Sequence, residues 1–96
     1  MDTARATGKT FRRLLKALSY ASEGKRVIYV TAHAHLKQWY CNRAWDICSA
    51  YLSPDTFSRP NQRVICIDGA GRIEFYSQNE LHTLRGIKVD KSITDD

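Results

Sequence analysis

The run Arg26-Val27-Ile28-Tyr29-Val30-Thr31 is β-branched or aromatic through its middle and apolar on both of its alternating faces. A strand can carry that pattern only where both faces are covered, so the run predicts an interior strand of a parallel sheet. Its flanks agree. Before it, Phe11, Leu14, Leu15, Leu18 and Ala21 form one stripe at helical spacing from Lys9 to Glu23, and Gly24 stops that segment. After it, Leu36, Trp39, Tyr40, Arg43, Ala44, Ile47 and Tyr51 repeat with the same period from His35 to Tyr51, closed by Ser53-Pro54-Asp55. A helix, a strand buried on both faces and a second helix place the chain in the α/β class.

Beyond a polar linker, Thr56 to Gln62, two strand-like runs flank Asp68-Gly69-Ala70-Gly71, a connection whose two glycines supply the positive φ that hairpin turns need. Gln78 to Leu84 reads as polar and short, and Val89 to Thr94 as a further, unusually polar strand. With 96 residues, 43% hydrophobic and 26% charged, the chain has the composition of one small globular domain, which excludes a multidomain enzyme, a collagen-like repeat and a low-complexity chain. Three cysteines without a CxxC pair suggest neither a disulfide framework nor a zinc site. No apolar run approaches membrane-spanning length, so no membrane partner is expected. The formal net charge of +5 favours an acidic partner such as nucleic acid or nucleotide phosphate, and a solvated helix face accounts for the same excess equally well.

The chemistry concentrates at the two ends. Gly8-Lys9-Thr10 opens a helix that leads to a strand, as at the end of a phosphate-binding loop. There backbone N–H groups and the helix N-terminus cradle phosphates, the lysine neutralises their charge, and the hydroxyl ligates magnesium. The glycine expected five residues earlier is Thr3. A nucleotide hydrolase also needs a carboxylate at a strand end for magnesium, and a neighbouring acid to orient water. Asp95-Asp96, directly after the last strand-like run, supplies that pair, and a solvated acidic tail explains the same residues.

Taken in order, these segments resemble the ATPase domain of the large terminase subunit, the motor that packages DNA into tailed-phage and herpesvirus capsids. Thr3 to Thr10 looks like the family's variant loop, which lacks the first glycine and carries an arginine where Arg5 stands. Tyr29-Val30-Thr31-Ala32-His33 is similar to the segment after the second strand. Arg63 to Ser77 resembles the segment before the family's Arg-Gly element, here Arg85-Gly86, and Asp95-Asp96 looks like Walker B, with Asp96 where glutamate is usual.

The resemblance implies a P-loop NTPase-like fold of the terminase and helicase type with a β-hairpin insertion, incomplete, residues 1–96 running from Walker A to Walker B with the nuclease domain absent. It implies ATP and magnesium as ligands. Ala6, Thr7, Gly8, Lys9 and Thr10 would form the phosphate loop, Lys9 contacting the β- and γ-phosphates; Thr10 and Asp95 would hold magnesium; Asp96 would orient water; Arg5 would stabilise γ-phosphate charge. Double-stranded DNA, the portal and the small terminase subunit would be partners, in the cytoplasm of a host cell, with phage or prophage as the source. No apolar run precedes the loop to form its leading strand, so a partial or truncated ATPase with little turnover by itself is expected. The alternatives are a noncatalytic phage binding module derived from such a domain, and a basic α/β nucleic-acid-binding domain.

Other conspicuous residues point to packing. Trp39 and Tyr40 fall on the apolar face and are expected in the core, while Trp45 lies off it. His33 and His35 lack a third ligand at a recognised metal spacing. Cys41 and Cys48 lie two turns apart on one helix, too far to bridge.

Overall fold

A computed structural model describes the backbone of residues 2–67 and 71–95, with side chains described from residue 8 onward. Five strands form one mixed sheet in the order β2-β3-β4-β1-β5. The chain runs through helix α1 (Asp2–Ser22), strand β1 (Arg26–Thr31), helix α2 (Lys37–Tyr51), strands β2 (Phe57–Asn61), β3 (Val64–Ile67) and β4 (Arg72–Ser77), and β5 (Lys91–Asp95). Short 3-10 turns occupy Ala34–Leu36, Pro54–Thr56 and Gln78–Leu84.

The expected interior strand is interior. β1 pairs in parallel with β4 on one side and β5 on the other, and Val27 to Thr31 are all buried. Val27 and Tyr29 face the two helices, where they join Leu14, Ala17 and Ala21 of α1, Tyr40, Cys41, Ala44, Ile47 and Cys48 of α2, and Phe57, Ile65, Ile73 and Phe75 of the sheet in one core. Ile28 and Val30 alternate to the other face and are only 1% and 2% exposed.

α1 ends where Gly24 was expected to stop it. Gly24 takes φ +90°, its N–H donates to the Ala21 carbonyl at 3.0 Å, and the Lys25 N–H reaches back to the Tyr20 carbonyl at 3.2 Å, the bond pair of a Schellman cap. The hairpin between β3 and β4 is antiparallel as expected, but Gly71 serves it in another way. Among the described residues only Gly24 and Gly86 have positive φ. Gly71 is required by close approach, since a Cβ there would collide with the Lys25 backbone; its N–H donates to the Ala21 carbonyl at 2.8 Å and that of Arg72 to the Lys25 carbonyl at 3.1 Å, which docks the end of α1. The turn residues 68–70 lie outside the described residues.

Four expectations are corrected. The segment Thr56 to Gln62 is mostly strand: β2 pairs antiparallel with β3, Phe57 opposite Ile67, and Phe57 anchors it in the core. Its polar composition hid an edge strand with little to bury beyond that one ring. The first helix starts at Asp2, not Lys9. The last strand begins two residues later than expected, at Lys91. Trp39 is 49% exposed, and its expected core place is taken by Cys41 and Cys48, which are fully buried. Trp45 instead packs edge-on against Phe57, ring centroids 4.8 Å apart.

Candidate functional site

The parallel strands end in a row of buried polar residues. Thr31 aligns with Ser77 of β4 and with Asp95 of β5, and all three are at most 3% exposed. The carboxyl ends of parallel strands are where open α/β sheets collect ligands, because backbone and side-chain polar groups emerge there uncovered by the next helix. Asp95 is the charged member, and three elements converge on it.

From α1 comes Thr10. It continues the buried stripe of Leu14, Ala17 and Ala21 one turn toward the helix start, so helical geometry turns its hydroxyl to the sheet, 7% exposed. A buried hydroxyl needs a partner, and Thr10 Oγ1 donates to Asp95 Oδ2 at 3.1 Å. From β1 comes Tyr29, a fully buried ring whose phenol donates to the same oxygen at 2.6 Å. Burial, followed by that bond to Asp95, raises the Tyr29 pKa far above the ordinary phenol value, so it stays a donor. Arg13, one turn beyond Thr10 on α1, donates from Nη1 to Asp95 Oδ1 at 2.6 Å and is 35% exposed. The carboxylate thus has its counter-charge on its solvent side and two neutral hydroxyls on its inner side. Tyr40 of α2 closes the inner wall, its ring 5.6 Å from that of Tyr29, with its pKa raised chiefly by burial.

Of the residues selected from sequence, the fold brings Thr10 and Asp95 into contact across 85 positions. Lys9 is exposed one residue before Thr10, and Gly8 is exposed beside it. The side chains of Arg5, Ala6 and Thr7, and the whole of Asp96, lie outside the described residues. Where a phosphate loop was expected, the backbone is helical from Asp2 onward. In an α-helix the N–H groups beyond the first turn are bonded to the carbonyls four residues earlier, so those of Gly8, Lys9 and Thr10 do not form an open cradle in this conformation. Arg13 and Tyr29 had no signal as site residues beyond position: Arg13 is three residues from Thr10, and Tyr29 is the one hydroxyl-bearing aromatic in the buried strand.

The Thr10 and Asp95 oxygens suit magnesium, which takes hard oxygen ligands, often only one or two carboxylates from the protein, and keeps waters and phosphate oxygens for the rest. No cluster of three His, Cys, Asp or Glu side chains that could hold a metal ion exists among the described residues, and His33 and His35 stack on each other with ring centroids 5.5 Å apart.

Two other polar groupings flank the site without joining it. At the amino ends of β1 and β4, Glu74 is 4% exposed and accepts from Arg26 Nε and Nη2 at 3.0 Å each and from Tyr76 at 2.9 Å, with Arg72 Nε 2.6 Å away. In the 3-10 turn after β4, Glu80 accepts from Nζ of Lys37 at the start of α2 at 2.7 Å, from the Ser77 amide and hydroxyl at 3.1 Å each, and from Arg63 at 3.3 Å. Beside it a cavity of about 640 Å³ is lined by His35, Lys37, Asn61 and Arg63 among others, and by no residue of the Asp95 network.

Among the described residues no helix is long and apolar enough to cross a membrane. The chain matches no family model, no curated protein and no solved structure.

Proposed function

We propose that this chain is a magnesium-dependent ATP-binding segment of a DNA-packaging motor of the large-terminase type, with Thr10 and Asp95 as the two protein ligands to the metal. The observation that carries the reading is the 3.1 Å contact between them at the carboxyl end of the parallel strands. Each was selected for its motif, one near the start of the chain and one near its end, and only a fold that joins α1 to β5 makes them neighbours.

In this reading Lys9 and Arg13 meet the phosphates as cations, Thr10 and Asp95 position the metal, and Tyr29 fixes the Asp95 carboxylate through Oδ2. Bound magnesium would neutralise charge on the phosphates and orient them for in-line displacement. The work of the protein is positioning and electrostatics. Arg5 and Asp96 complete the proposal as γ-phosphate arginine and water-orienting acid, with double-stranded DNA as the translocated substrate, portal and small terminase subunit as partners, and the host-cell cytoplasm as the setting.

A second reading has its own observation. Gly8 to Thr10 are helical and every Asp95 oxygen already has a donor, as befits a noncatalytic binding module in which the network only ties α1 to the sheet. Heat stabilisation separates the two. ATP with magnesium at one hundred times its Kd is expected to add about 2.7 kcal/mol to the purified protein, a rise of roughly 10–20 °C in Tm for a domain of this size. Lys9→Ala and Asp95→Asn are each expected to remove that rise. An unchanged Tm in wild type, or equal stabilisation of both variants, overturns the ATP-binding reading.

A further inference from the structure

The three donors to Asp95 differ in kind. Thr10 and Tyr29 are neutral hydroxyls, 7% and 0% exposed, on the inner side of the carboxylate. Arg13 carries a full positive charge, sits 2.6 Å from Oδ1, and is the one donor with substantial exposure, 35%. A cation arriving from solvent therefore meets Arg13 first. Magnesium and guanidinium on the same carboxylate would be two positive charges sharing one anion in a poorly solvated site, a repulsive arrangement. With no metal present the buried carboxylate needs a counter-charge, and Arg13 provides it.

We propose that Arg13 is an internal counter-ion that competes with the divalent cation for Asp95, keeping the carboxylate closed to free metal and releasing it when a polyphosphate offers the guanidinium another anion. This rests on the magnesium–nucleotide reading of Thr10 and Asp95. Arg13 is placed for both positions. It lies four residues after Lys9 on α1, hence on the same side of the helix, so a guanidinium that leaves Asp95 stays beside the lysine assigned to phosphate. Its planar fork suits phosphate oxygens at least as well as a carboxylate. The consequence is an order of events: metal alone binds poorly, and metal accompanied by polyphosphate binds well. Arg13 is thus a positioning residue, acting on the metal through Asp95.

The test titrates Mn²⁺ alone, without nucleotide, into the full chain by electron paramagnetic resonance. Arg13→Gln is expected to bind Mn²⁺ at least about tenfold more tightly than wild type, the scale on which residues behind metal ligands act. Arg13→Lys, which keeps the charge on a shorter single-point donor, is expected to fall between them. Asp95→Asn added to Arg13→Gln is expected to abolish the gained binding. If Arg13→Gln does not fold, as judged by circular dichroism, the comparison of Arg13→Lys with wild type decides, and equal Mn²⁺ affinity overturns the proposal. Equal affinity of Arg13→Gln and wild type, in a protein that ATP and magnesium still stabilise through Asp95, refutes the counter-ion role and leaves the site assignment standing. Absence of any Mn²⁺ or ATP interaction in all forms refutes both.

Discussion

Single residues decide how this small core tolerates charge. Glu74 is buried, and burial by itself would raise its pKa. The hydrogen bonds from Arg26 and Tyr76 and the charges of Arg26 and Arg72 outweigh that, so its pKa is lowered. Truncation as Glu74→Ala leaves two arginines without their partner, 27% and 46% exposed. The cost expected in urea unfolding is about 2–3 kcal/mol, below that of breaking a fully buried pair because solvent reaches both guanidinium groups. Glu80 is the half-buried counterpart. The Lys37 bond first, then the Ser77 amide, pulls its pKa down to about 2. A carboxylate whose folded pKa is depressed adds stability that is complete above its ordinary value of 4.5 and is lost as pH falls toward about 2. NMR titration is expected to find Glu80 near that value, and Lys37→Met to return it toward the ordinary one; an unshifted Glu80 in wild type counts against the Lys37 contact. Neither group was legible in sequence, because Arg26 and Glu74 are 48 positions apart and meet only through the parallel register of β1 and β4.

At the scale of elements, the connection between α1 and the sheet rests on two glycines with different duties. Gly24 holds a left-handed φ, and a Cβ there would meet open space. Gly24→Ala is expected to cost about 1–2 kcal/mol, the strain of that conformation for an L-residue. Gly71 has no such φ, but any side chain would strike the Lys25 backbone. Gly71→Ala is expected to cost more than about 3 kcal/mol, because relief requires moving β4 from α1's end or from β1. Thermal melts of the two variants check the order; equal losses would mean the close approach at Gly71 relaxes freely. Sequence alone made Gly24 a helix stop and Gly71 a hairpin-turn residue. It could not separate an unusual φ from a close approach, because the second depends on what folds against the residue.

For the whole molecule, the Asp95 network makes the side-chain hydrogen bond of longest sequence separation among the described residues, Thr10 to Asp95 across 85 positions. Thr10, Arg13 and Tyr29 connect the first helix and the interior strand β1 to the last strand, which pairs only with β1. β5 is short, and Ser92 and Thr94 are exposed, so it has little apolar burial to hold it. Asp95→Ala would leave two buried hydroxyls and a guanidinium without their acceptor, at an expected cost of about 3 kcal/mol. Hydrogen exchange is expected to accelerate in β5 and in the first described turns of α1 together, with β4 little changed. Acceleration confined to β5 would show that Asp95 does not couple the helix to the sheet.

By itself the sequence determined what depends on local pattern. The apolar six-residue run made β1 an interior parallel strand, two helical stripes set the helices beside it, paired runs around glycine made the β3–β4 hairpin, and Gly24 ended α1. Each follows from periodicity or backbone freedom within a few residues. Tertiary structure decided the rest. It made a strand of 57–61 through one buried ring and a pairing partner, put Cys41 and Cys48 inside and Trp39 outside, and continued α1 through Gly8-Lys9-Thr10. It also gave the motif residues their company: sequence offered Thr10 and Asp95 as a pair, while Arg13 and Tyr29 joined them because a buried carboxylate must be neutralised and fully hydrogen-bonded, and only the packed fold fixes which side chains are within reach.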